Sequence, residues 1–243
     1  MKPSSNPHAI RSFAALIAVA AFWAGMLTAA HLYRPAYDWP YQTISVLLYS
    51  DKNPAGFLWA WAGLQVAGIA GLVWSFELSR PVRGNDGPRS APSARLLQAG
   101  FLCMGCTVIP QRLLPWSKGH EAFAILAFLA ICSGIAGQMN TVARSQNARR
   151  PTAAARFRVF ASTVLPLVAP VLAAATQAYL DRVRPELPWV TPEWRVLGAS
   201  PLLSFGLWEW VTSAVFSVCL MVIWRSRRDL HSPPITRTAC FRR

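Results

Sequence analysis

Residues 13–32 read FAALIAVAAFWAGMLTAAHL, a run of 20 residues without Asp, Glu, Lys or Arg. A helix rises about 1.5 Å per residue, so a run of this length matches the hydrocarbon core of a bilayer, about 30 Å thick. Similar runs follow at residues 57–76, 96–111, 122–143, 159–180 and 202–224, the last interrupted by Glu209. The pattern predicts an all-α polytopic membrane protein, a six-transmembrane-helix bundle that forms a single domain over residues 1–243.

The composition also favours a lipid environment. Hydrophobic residues make up 53% of the chain and charged residues 14%, whereas soluble domains carry about 25% charged residues. The first run follows Lys2 and Arg11, as the core of a secretory signal would. Because the run is longer than a signal core of about 7 to 15 residues, we expect it to be retained as a helix.

Basic residues are divided unequally between the predicted loops. The N-terminus, the second and fourth loops and the C-terminal tail carry 17 Lys and Arg residues, and the other three loops carry 7. Cationic loops stay in the cytoplasm, so both termini are predicted to lie there. The net charge of +14 is then a consequence of topology, and the basic loops are attracted to anionic membrane lipids. The charge therefore does not indicate a nucleic-acid partner. The sequence does not predict an oligomeric state.

The predicted loops differ in character. The second loop, residues 80–95, is rich in Pro, Gly, Ser and Arg and is predicted to be flexible, and the tail, residues 225–243, is predicted to be disordered. The first loop, residues 33–53, instead carries several Tyr and Trp residues. Aromatic rings with a polar edge favour the headgroup level. We therefore expect this loop to form a lid over the outer end of the bundle.

Two helices carry small residues one turn apart. Gly68 and Gly71 lie in the second run, and Gly134 and Gly137 lie in the fourth. Such pairs allow helix backbones to approach closely in a membrane. We expect these glycines to lie at helix–helix contacts.

The end of the first run resembles a known family. The string HLYRPAYDWPYQTIS, residues 31–45, is similar to the signature of DUF998, a family of uncharacterised bacterial integral membrane proteins. Ile109-Pro110 and Gly119-His120-Glu121 match further positions of that family, whereas Leu47-Leu48-Tyr49-Ser50 departs from its small, Gly-containing continuation. The resemblance implies the fold and a multi-pass location in the bacterial inner membrane, and it implies no activity.

Polar residues near the predicted outer ends of the helices form a candidate ligand pocket. An ionisable group within a span is costly unless it faces the bundle interior, a partner or water, and we expect Glu209 to point toward His120, His31 or an arginine of an outer loop. Three interpretations remain open: structural ion pairs, a pocket for a small molecule or ion, and a catalytic site. The candidate residues are His31, Arg34, Asp38, Ser45, His120, Glu121 and Glu209.

No cofactor or metal is predicted. Two histidines and Glu209 could in principle bind zinc, but they come from three helices without ligand spacing. Cys103 and Cys106 form a CxxC pair, yet no outer loop offers the second thiol pair that a membrane thiol oxidase needs. The sequence also lacks a phosphate-binding glycine loop and a nucleophile elbow.

Two functions are compatible with these residues. The first is a non-enzymatic protein that binds or moves a small or lipid-like ligand through an outward-facing polar pocket. The second is a membrane-embedded hydrolase or transferase that acts on a lipid headgroup, with His31 or His120 as base and Glu209 or Asp38 orienting it. Acids within reach of the histidines would favour the enzyme. A track of Gln65, Gln98, Gln138 and Gln177 leading inward would favour transport.

Overall fold

The computed structural model describes residues 7–79, 91–107, 119–146 and 200–231, with single positions between 168 and 198. These residues are helical or irregular, and none of them lies in a strand. Two short 3-10 helices cover Ile44–Leu48 and Pro201–Leu203. The α-helices are α1 (Pro7–His31), α2 (Phe57–Leu78), α3 (Ala91–Cys106), α4 (Gly119–Gln146) and α5 (Phe205–His231).

Four of these helices are long and apolar enough to cross a membrane. The candidate spans are Phe13–His31, Phe57–Leu78, Gly119–Val142 and Phe205–Arg228. The third predicted span corresponds to α3, whose 16 residues extend about 24 Å, less than the hydrocarbon thickness. The fifth predicted span lies largely outside the described residues, so the count of six spans remains a prediction.

The distribution of side chains also fits a membrane. Ile69 on α2 and Val218 on α5 are 63% and 62% exposed, while Ser75 and Gln138 are completely buried. A soluble bundle shows the opposite preference, with its large apolar side chains inside. In a bilayer, lipid covers the apolar side chains, and polar groups are satisfied between helices. The chain therefore has the helices of an integral membrane protein.

Glycines set the spacing on both sides of α3. A Cβ atom at Gly71 of α2 would clash with the ring of Phe101, and one at Gly134 of α4 would lie 2.6 Å from Leu97. Gly137 makes a similar approach to Ser93. The expected helix contacts of these glycines are thus confirmed, and α3 lies between α2 and α4.

Two loop predictions need correction. α3 already begins at Ala91, inside the loop predicted to be flexible, and α5 continues to His231, beyond the predicted start of the disordered tail. The basic side chains explain the longer α5. Arg227 is buried and donates a hydrogen bond to Gln138 of α4 at 3.2 Å, and the Arg228 guanidinium lies 5.0 Å from the Trp224 ring centroid.

The described helices enclose two apolar cores. One lies between α1, α2, α3, α4 and α5 and includes Leu97 and Ile223. The other lies where α1 ends and where α2 and α5 begin, and it includes Met26, Leu47 and Trp210. Leu47 belongs to the α1–α2 loop, residues 32–56. This loop is thus part of the folded protein, and it carries several of the candidate site residues.

Candidate functional site

The first half of the α1–α2 loop is held by a buried tyrosine. The Tyr37 hydroxyl shares its one hydrogen between the carbonyls of Gln42 and Thr43, at 2.8 and 2.9 Å, and accepts a hydrogen bond from the Trp210 indole at 3.2 Å. Burial raises the pKa of Tyr37 well above its usual value, so the hydroxyl stays protonated. Its ring also packs edge to face against Trp210 of α5, and the ring of Trp39 lies against Trp210 as well. The loop is therefore attached to α5 through both rings and hydrogen bonds.

The second half of the loop is held by Asn53, which is completely buried. Its amide donates to the carbonyls of Ala29 at 3.2 Å and Leu47 at 3.3 Å. Its side-chain oxygen accepts from the backbone N–H of Gly56 at 3.1 Å. One side chain thus joins the end of α1, the 3-10 helix Ile44–Leu48 and the start of α2.

Glu209 points from α5 into the α1–α2 loop. Its carboxylate accepts the backbone N–H of Ile44 at 2.7 Å, and it also accepts hydrogen bonds from the backbone N–H and the hydroxyl of Ser45. These donors lie at the N-terminus of the 3-10 helix. Among the described residues, no histidine or arginine contacts the carboxylate. The inward direction agrees with the prediction, but the partners are backbone amides and a serine.

Asp38 forms a separate contact at the surface. Its carboxylate lies 3.0 Å from the Arg195 guanidinium, which is 64% exposed on its side-chain surface. Its backbone N–H donates to the side chain of Gln42 at 2.8 Å. An exposed ion pair of this kind contributes little to stability. Three other predicted site residues, His31, Arg34 and Glu121, are exposed.

His120, in the first turn of α4, is 4% exposed. Its Nδ1 lies 2.9 Å from the carbonyl oxygen of Thr107, just after α3. Because a carbonyl can only accept, Nδ1 carries the proton in the neutral ring, and Nε2 offers a lone pair. Nε2 is buried and has no hydrogen-bond partner among the described residues. The ring of Tyr49, from the α1–α2 loop, packs against His120 with the centroids 5.8 Å apart.

The predicted site residues therefore separate into distinct groups. Ser45 and Glu209 are in direct contact, Asp38 is paired with Arg195, and His120 lies beneath Tyr49. Sequence reasoning did not identify Thr107, Tyr49 or Arg195 as partners. Tyr49 and Arg195 lie far along the chain from the residues that they contact, and Thr107 lies 13 residues before His120. No spacing rule connects any of these pairs.

The glutamines connect helices to one another. Gln65 donates to the carbonyl of Gly105 at 2.6 Å, which joins α2 to α3. Gln98 donates to the Ser79 hydroxyl at 2.8 Å, and Gln138 donates to the Ser93 hydroxyl at 3.0 Å. Gln177 lies outside the described residues. The three described glutamines thus serve helix packing, the alternative to a polar track.

Two further features lie apart from the candidate residues. Cys103, Cys106, Cys132 and Cys219 are free thiols. A shallow, mainly apolar groove on the second half of α5 is lined by Ser217, Val218, Met221, Val222 and Arg225. None of the predicted site residues lines this groove.

Fold and site together define a helical integral membrane protein whose α1–α2 loop closes one end of the bundle. Comparison with known proteins gives no match, whether to a family model, to a curated protein or to a solved structure.

Proposed function

We propose that this chain is a six-span protein of the bacterial inner membrane, with both termini in the cytoplasm, that binds a small or lipid-like ligand beneath its α1–α2 loop. The observation that carries the proposal is the buried Nε2 atom of His120. A buried lone pair without a donor costs about 1–3 kcal/mol. A ligand hydroxyl or amine at this position would remove that cost.

The surroundings of His120 support a ligand with both polar and apolar parts. The Tyr49 ring covers the histidine, and the Lys52 ammonium lies 5.4 Å from the centroid of that ring. An aromatic wall suits an apolar group, and a nearby cation suits an anionic one such as a phosphate. A lipid-like molecule with a hydrogen-bond donor in its headgroup has these properties. Relationship to DUF998, through the resemblance of residues 31–45, is part of the same proposal.

Binding is better supported than chemistry or movement across the membrane. An enzyme in which an acid orients a histidine base needs the two side chains in contact. Glu209 instead contacts Ile44 and Ser45, and His120 is oriented by the Thr107 carbonyl. The described glutamines hydrogen-bond between helices, which gives no support to a polar path inward from Glu209.

His120→Phe tests the binding proposal. The phenylalanine keeps the ring and removes Nε2, so we expect retention of the ligand after purification to fall by at least about tenfold, the effect of losing roughly 1.4 kcal/mol of binding free energy. Mass spectrometry of small molecules and lipids extracted from the purified protein measures retention. Leu129→Phe, which introduces the same side chain at an exposed position of the same helix, is the control and should retain the wild-type amount.

Thermal unfolding of the same variants gives an independent readout. If a ligand satisfies Nε2, the phenylalanine variant loses the stabilisation that the ligand provides and unfolds at a lower temperature. If the site binds nothing, removal of an unsatisfied buried nitrogen offsets the loss of the Thr107 hydrogen bond, and the unfolding temperature stays close to that of wild type. Equal retention of every extracted molecule by wild type and His120→Phe would contradict the proposal.

The topology is tested by reporter fusions. An enzyme that is active only in the cytoplasm should be active when fused after Arg243 and when inserted within residues 144–158, because these segments belong to the basic loops. A reporter that is active only in the periplasm should be inactive at both places. Periplasmic activity at either fusion site would exclude the six-span arrangement.

A further inference from the structure

Glu209 and His120 lie at opposite ends of one short element, the 3-10 helix Ile44–Leu48. Glu209 accepts hydrogen bonds from Ile44 and Ser45 at its start. Tyr49, the residue that follows it, packs on His120. Tyr49 thus follows a helix whose start is held from α5, and its carbonyl accepts the backbone N–H of Asn53 at 2.8 Å.

The start of this 3-10 helix needs an external acceptor. The first backbone N–H groups of a helix have no partner within the helix. Thr43 occupies the N-cap position, but its side chain makes no capping hydrogen bond. The carboxylate of Glu209, from a residue 165 positions further along the chain, supplies the missing acceptor. Weak solvation strengthens such hydrogen bonds relative to those formed in water.

The remaining contacts of the 3-10 helix are mainly apolar. Leu47 and Leu48 are buried in the core near Met26 and Trp210. Asn53 donates a hydrogen bond to the Leu47 carbonyl, so it holds the end of the 3-10 helix and does not hold Ile44 at its start. At the beginning of the helix, Glu209 accepts from the first N–H groups, and Tyr37 donates to the carbonyl of the N-cap residue Thr43. Loss of Glu209 would leave the N–H groups of the first turn without their acceptor and would not remove the apolar anchor.

We propose that Glu209 is a latch that holds the 3-10 helix Ile44–Leu48, and with it Tyr49, closed over His120. Release of the latch opens the route by which a ligand reaches Nε2. This inference rests on the proposed function for the ligand, but the latch itself can be measured without one. It assigns Glu209 a positioning role, in which it acts on the site through the loop and makes no contact with the ligand.

Hydrogen exchange of the full-length protein in lipid nanodiscs tests the latch. Glu209→Leu removes every acceptor and introduces an apolar side chain of similar size, and Glu209→Gln keeps one acceptor oxygen and replaces the other by an amide nitrogen. We expect the amides of Ile44 and Ser45 to exchange at least about tenfold faster in Glu209→Leu, with Glu209→Gln between it and wild type. Asp38→Asn is the control, because it changes an acid of the same loop that does not contact the 3-10 helix.

The pattern of exchange decides the outcome. Faster exchange confined to residues 43–50, with the amides of α2 and α4 unchanged, supports a local latch. Unchanged exchange at Ile44 and Ser45, or a uniform increase throughout the bundle, would overturn it. Lipids extracted from the same variants then separate the two proposals. A latch that opens in a protein whose wild type retains no ligand would refute the proposed function and leave the latch standing.

Discussion

Asn53→Ala is expected to destabilise the protein by about 3 kcal/mol, since each buried polar group left without a partner costs roughly 1–3 kcal/mol. The change removes the donors of the Ala29 and Leu47 carbonyls, while the N–H of Gly56 loses its side-chain acceptor and keeps the Asn53 backbone carbonyl at 3.2 Å. Asn53 is completely buried, so water does not replace these partners in the folded state. The unfolding midpoint should fall by roughly 6–12 °C for a chain of this size.

Thermal unfolding in detergent, followed by intrinsic tryptophan fluorescence, measures this loss. Asp51→Ala is the matched control, because Asp51 is exposed in the same loop two residues earlier. Asn53→Asp gives a finer comparison, since it keeps an acceptor for Gly56 and removes both donated hydrogen bonds. A midpoint for Asn53→Ala within about 1 °C of wild type would show that the three hydrogen bonds are not needed for stability.

Gly63→Ala should have an effect of similar size on the contact between α1 and α2. A Cβ atom at Gly63 would lie 2.7 Å from the carbonyl oxygen of Ala21 and 2.7 Å from the Cα of Gly25. Both are backbone atoms, so the helices must separate and lose the packing on either side of the contact. Overpacking of this kind costs about 1–3 kcal/mol, and close backbone approach is the main attraction between helices in lipid.

The matched control is Gly105→Ala in α3. The nearest atom to an added Cβ there is the Gln65 side-chain oxygen at 3.7 Å, an ordinary contact. Both substitutions replace a helical glycine by a better helix former, so a shared gain in helix propensity cancels between them. We expect a lower unfolding temperature for Gly63→Ala than for Gly105→Ala. The reverse order would mean that the two helices can move apart at no cost.

Hydrophobic run length predicted most of the helices, because it depends on local composition alone. The runs at 13–32, 57–76, 122–143 and 202–224 correspond to the four helices that are long and apolar enough to span a membrane. The glycine pairs at residues 68 and 71 and at 134 and 137 predicted close helix contacts, since a missing side chain permits them. Helix ends were predicted less well, because packing of Arg227 and Arg228 extends α5 into a stretch that looks polar in the sequence.

The candidate site was predicted in part. The sequence indicated that Glu209 turns inward and that Ser45 is a site residue, and the two are in contact. It did not indicate that backbone amides would satisfy the carboxylate, because every residue carries an amide and only the folded loop selects two of them. His120 was a candidate for its charge and position. Its importance lies in an unpartnered nitrogen, which becomes visible only when Thr107 and Tyr49 are in place.

The short third helix has a consequence for how the chain is made. α3 carries Arg95 and Gln98 within 16 residues, so transfer of this helix alone into lipid is only weakly favourable. Its stable surroundings are the glycine faces of α2 and α4. Synthesis delivers α2 before α3 and α4 after it, so one neighbour is present when α3 emerges from the ribosome and the other is not. We therefore expect α3 to remain associated with α2, or with the insertion machinery, until the ribosome has completed α4.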